Sequence, residues 1–133
     1  MRSKHIPIAI ALLAVCGAAT IPLGAQTATY TIEAESMTLS SYAVENATRI
    51  RLTAATGTAT KSFTGTSGTY DIQVFVQPET DGQSTLAVYK GTSTTPLQKY
   101  TYPLSSALTS FTIKGAALNT GDALKLVGTA NAG

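Results

Sequence analysis

From Thr29 onward the chain alternates apolar and polar residues in short runs separated by turn formers. The clearest run is residues 69–77, where Tyr70, Ile72, Val74 and Val76 share one parity and Asp71, Gln73 and Gln77 the other, with Phe75 among them. Successive side chains of an extended strand point to opposite faces, so this run predicts a strand with one buried face. Pro78 ends it, and Asp81-Gly82 is a strong turn signal before a second run, 83–90, with Leu86 and Val88 on one face. The two runs together predict a hairpin. Further strands are predicted at 29–35, 49–53, 58–63, 97–102, 110–114 and 123–127, punctuated by Gly91, Pro96, Pro103, Gly115 and Gly121. No segment carries a 3.6-residue apolar stripe, and Thr and Val, stiff at χ1, fit pleated strands. The pattern predicts one all-β domain, a sandwich of antiparallel sheets.

The N-terminus is patterned differently. Residues 6–19 are almost wholly apolar, follow the basic Arg2 and Lys4, and are short for a membrane span. Leu23-Gly24-Ala25 fits a small-residue cleavage site. The reading is a secretory signal over residues 1–25 and a folded domain over 26–133, secreted, periplasmic or on the cell surface. Leu13-Ala14-Val15-Cys16 loosely resembles a lipid-attachment box, which leaves lipoprotein processing as the second reading.

Removing such a signal changes the charge. The basic residues left are Arg49, Arg51, Lys61, Lys90, Lys99, Lys114 and Lys125, and the acidic ones Glu33, Glu35, Glu45, Asp71, Glu79, Asp81 and Asp122. The balance is neutral, without the basic footprint of a nucleic-acid binder. The single Cys and the single His both precede Gln26, and there is no Trp. A domain starting at Gln26 therefore has no disulfide, no zinc ligands of the usual kind and no histidine-based triad.

Two carboxylates, Glu33 and Glu35, flank Ala34 in the first predicted strand. On one strand face they would stand roughly 6.5 Å apart. They are either a solvated face or a pair bridged by a hard cation, calcium above all.

The order of motifs resembles the β-sandwich carbohydrate-binding modules of families 6, 35 and 36. The match runs through Glu33-Ala34-Glu35 with Met37, then residues 68–76, then Asp81-Gly82 with Ser84, Leu86 and Val88, then Gly121-Asp122 with Leu124 and Leu126. It covers residues 28–130. The resemblance implies a jelly roll with a structural calcium ion held by Glu33 and Glu35, completed by an Asp on a final strand that this sequence does not reach. It also implies a sugar site in end loops or on a sheet face. In the loops the corresponding residues are Tyr42, as a stacking platform, with Asn46 and Asn131 as readers of hydroxyls. Tyr42 is equally readable as a partly buried sandwich-end residue. Tyr89, Tyr100 and Tyr102 are alternatives on strands, whereas Tyr70 and Phe63 read as core.

The expected function is a secreted, non-catalytic module that tethers an attached catalytic domain to polysaccharide. The alternatives are a structural or adhesive sandwich without sugar binding and, more weakly, a small lyase or hydrolase. Paired carboxylates can hydrolyse glycosides, but that chemistry needs a cleft and a carboxyl of raised pKa. Arg49 and Arg51 share a predicted strand face and suit either an acidic sugar or solvent.

Overall fold

The computed structural model describes residues 5–6, 9–14 and 29–131. Arg2, Lys4, Cys16 and the motif Leu23-Gly24-Ala25 lie outside the described residues. The described chain is all-β with antiparallel sheets, as the alternation predicts. Its strands are β1 (His5–Ile6), β2 (Ala9–Ala14), β3 (Thr29–Glu33), β4 (Thr38–Ser40), β5 (Tyr42–Glu45) and β6 (Arg49–Leu52). They continue with β7 (Thr56–Ser62), β8 (Gly68–Val76), β9 (Thr85–Lys90), β10 (Gln98–Thr101), β11 (Thr109–Leu118) and β12 (Ala123–Thr129).

A four-stranded sheet in the order β11-β8-β2-β3 shares one hydrophobic core with a five-stranded sheet in the order β10-β9-β12-β7-β4. The first contributes Ile32, Tyr70, Ile72, Val74, Val76, Phe111 and Ile113, and the second Ala59, Leu86, Val88, Leu124 and Leu126. Burying such side chains contributes about 1.5–3 kcal/mol each, which is the main force holding the layers together. A small sheet, β1-β6-β5, adds Tyr42, Ile50 and Leu52 to the same core.

The predicted hairpin between 69–77 and 83–90 does not form. Strands β8 and β9 both exist, but β8 pairs with β11 and β2, while β9 pairs with β10 and β12. The buried Pro78, which lacks an N–H, follows the end of β8 and the connection crosses to the other sheet. Four strands were not anticipated: β1 and β2, which fall in the stretch read as an export signal, and β4 and β5, which are separated by Ser41 in the left-handed region at φ 55°.

Strand β11 carries a bulge. Ile113 pairs with Ile72 and Ala116 with Tyr70, so Lys114 and Gly115 stand opposite the single residue Asp71. Gly115 has φ 64° there, a conformation glycine adopts without steric cost. The Lys114 ammonium donates to Asp71 Oδ2 at 2.7 Å and the Gly115 N–H to Asp71 Oδ1 at 2.9 Å.

Strand β2 lies between β3 and β8, antiparallel to both, with Ile10 opposite Ile32 and Val74, and Leu12 opposite Tyr30 and Ile72. The apolar N-terminal stretch thus includes an internal strand of the four-stranded sheet.

Candidate functional site

The first candidate is the turn after β3. The strand ends at Glu33, and residues Ala34–Ser36 form a 3-10 turn, so Glu33 and Glu35 do not share a strand face as the spacing predicts. Ser36 Oγ donates to Glu33 O at 2.7 Å and the Met37 N–H to Ala34 O at 3.1 Å, which wraps the chain. Ile32, Ala34 and Met37 are buried, Glu33 is exposed and Glu35 is half-buried. Lys61 Nζ donates to Ser36 Oγ at 2.7 Å and lies 3.3 Å from Ser36 O, so a cation already braces this turn. Glu35 Oε2 is buried and makes no hydrogen bond. An orphaned carboxylate oxygen is the donor type calcium takes, so Glu35 fits the implied ion as one ligand. Among the described residues no cluster of three acidic, His or Cys side chains gathers around it.

Tyr42, Asn46 and Asn131 occupy different places. Tyr42 opens β5 and is 7 % exposed, so its ring presents no open face to solvent. It packs on a cross-strand glycine pair, Gly57 and Gly128, in the five-stranded sheet. A Cβ on Gly57 would stand 2.9 Å from the Tyr42 ring and 2.7 Å from Leu52. The Tyr42 hydroxyl is buried without a hydrogen bond, and burial pushes its pKa far above the ordinary tyrosine range. Asn46 is exposed in the β5–β6 turn at φ 54°. It stands at the far end of a four-residue strand from Tyr42, about 13 Å away at the usual rise. Asn131 is half-buried, and its amide donates to Asp81 O at 3.1 Å and packs against the Gly82 backbone. The β5–β6 turn is closed by charge: Arg49 Nε donates to Glu45 Oε2 at 2.6 Å and Arg51 Nε lies 3.5 Å from Glu45 Oε1. Both guanidinium groups are therefore committed to an internal carboxylate.

The other aromatics divide cleanly. Tyr102 is buried with its hydroxyl unpartnered, Tyr100 stacks on Phe111 at 4.4 Å, and Tyr70 and Phe63 are core. Tyr89 is different. On β9 it points away from the buried parity of Leu86 and Val88, and is half-buried. The register sets it beside Lys125, then Thr60, then Thr38, in one row across four strands. Lys125 Nζ lies 5.0 Å from the Tyr89 ring centroid, a cation–π contact. A second row on that face runs Thr101, Thr85, Thr129 and Thr56. The outward face of the five-stranded sheet is thus rich in hydroxyl donors and acceptors around one aromatic ring and two ammonium groups, those of Lys125 and Lys99. Sequence reasoning named Tyr89 only as an alternative, because the row needs strand register that spacing alone does not supply.

No protein family, no curated protein and no solved structure matches this chain.

Proposed function

We propose that this protein is a secreted, non-catalytic carbohydrate-binding module with a jelly-roll sandwich, which tethers an attached enzyme to polysaccharide. The supporting observation is the Tyr89 row. An aromatic face stacks on the C–H face of a sugar ring, while Thr60 and Thr38 offer hydroxyls and Lys125 a cation beside it. Such a surface binds weakly, and weak binding is enough when it raises the local concentration of a linked catalytic domain. Asn46 and Asn131 remain secondary hydroxyl readers in this reading, and Tyr42 holds the β5–β6 hairpin against the sheet instead of stacking on sugar. Glu33 and Glu35 would hold a calcium ion that neutralises their charge and stiffens the turn after β3.

Affinity electrophoresis in gels containing neutral or acidic polysaccharides tests the proposal. Retarded migration in at least one glycan, lost in Tyr89→Ala, is the expected result. Unretarded migration in every glycan refutes it. The rival reading, a structural or adhesive sandwich, is favoured by one feature: Tyr42, at the start of β5, is buried. That reading predicts unchanged migration throughout.

A further inference from the structure

The outward face of the five-stranded sheet carries a charge imbalance. Its outward strand positions include Lys99 and Lys125 and no Asp or Glu. The other described lysines are committed elsewhere: Lys61 to Ser36, Lys90 to Ala117 O at 2.8 Å and Lys114 to Asp71. Neither Lys99 nor Lys125 pairs with a carboxylate among the described residues. Two cations without counter-charges on one face attract anionic ligands.

Register fixes where they stand. Lys99 lies opposite Ala87 and Ala87 opposite Val127, while Tyr89 lies opposite Lys125. The two lysine Cα atoms are therefore two strand spacings and two residues apart, roughly 12 Å. Tyr89 stands between them on β9. Ala87 beside it is buried and small, which leaves a dip flanked by the ring and both lysines. Ammonium groups on two sides of one aromatic ring suit a sugar chain that bears anionic groups next to its stacking ring.

The contact between Lys125 and Tyr89 sharpens the choice. In the free protein Lys125 Nζ lies 5.0 Å from the Tyr89 ring centroid. A neutral sugar stacking on that ring face displaces the ammonium and offers it only hydroxyls. An anionic sugar displaces it into an ion pair. Lysine is a compact point charge, not a planar fork, so carboxylate and sulfate groups both suit it.

We infer that this face selects anionic polysaccharide, with Lys99 and Lys125 pairing with carboxylate or sulfate groups of the glycan stacked on Tyr89. The inference rests on the carbohydrate-binding reading and adds the class of substrate to it.

Affinity electrophoresis tests it in gels holding a neutral glucan, polygalacturonate, a sulfated galactan or polyglutamate. The chains compared are the parent, the double variant Lys99→Gln, Lys125→Gln, and Lys114→Gln, which removes a charge from the opposite sheet. The parent is expected to bind at least one anionic glycan about tenfold more tightly than the glucan, the combined scale of two exposed ion pairs. The double variant falls back to the glucan level, Lys114→Gln keeps the preference, and added salt weakens it. A preference for polygalacturonate alone assigns carboxylate as the anion, and one for the galactan alone assigns sulfate. Equal affinity for neutral and anionic glycans, or a preference that survives in the double variant, overturns the inference and leaves sugar binding standing. Polyglutamate retarding the parent as strongly as the anionic glycans also overturns it, because charge alone then suffices. No retardation in any glycan overturns the inference and the carbohydrate-binding reading together.

Discussion

The hydroxyl of Tyr42 occupies the space where a side chain on residue 128 would begin: a Cβ built on Gly128 would lie 1.8 Å from Tyr42 Oη. Gly128 pairs across the sheet with Gly57, and together they form the shallow seat on which the β5–β6 hairpin rests. Gly128→Ala is therefore expected to destabilise the fold by about 3 kcal/mol, the upper range for overpacking. Chemical denaturation measures it. A midpoint unchanged from the parent would show that the hairpin is not seated there.

Tyr42→Phe should act in the opposite direction. The hydroxyl is buried with no hydrogen bond, and an unsatisfied buried polar group costs about 1–3 kcal/mol. Removing it leaves the ring packing intact, so thermal denaturation should give a higher Tm. A lower Tm would reveal a partner for the hydroxyl.

The same tyrosines set the alkaline limit of stability. Burial raises the pKa of Tyr42 and of Tyr102 above their ordinary value of 10.0. The folded state then keeps protons that the unfolded state gives up above that pH. Stability is full below pH 10 and falls as pH rises beyond it. The double variant Tyr42→Phe, Tyr102→Phe should flatten this decline in equilibrium denaturation at pH 9 to 11.5. An equally steep decline would assign the loss to other groups.

At the acid end the relevant group is Asp71. Its hydrogen bond from Lys114, and then that from the Gly115 N–H, hold its carboxyl below the usual 3.8. The unfolded state takes up a proton first as pH falls, so the contribution is present above pH 3.8 and lost as pH drops through the lowered native value. Asp71→Asn should remove this part of the acid dependence and speed amide exchange at Gly115. Unaltered exchange there would show that the bulge holds without its carboxylate clamp.

How much of this was legible in the sequence depends on the range of each interaction. The face of β8 was readable because Tyr70, Ile72, Val74 and Val76 bury on a strict period of two. Asp81-Gly82 marked a change of direction but not the sheet to which the chain returns, hence the misplaced hairpin. At Glu35 the buried alternation Ile32, Ala34 continued into a 3-10 turn and so imitated strand. The Gly57–Gly128 seat and the row from Tyr89 to Thr38 join residues far apart in the chain, and local pattern carries no record of them. The N-terminal apolar run has one composition and two readings, export signal and internal strand, and only pairing with β3 and β8 reveals the second.

Carbohydrate binding through the outward face of the five-stranded sheet is tested most directly by depletion of the protein from solution by insoluble polysaccharides of neutral and acidic composition. The account predicts depletion by at least one of them, weakened about tenfold, or roughly 1.4 kcal/mol, in Tyr89→Ala at unchanged Tm. No depletion by any polysaccharide, or equal depletion of parent and Tyr89→Ala, would contradict it.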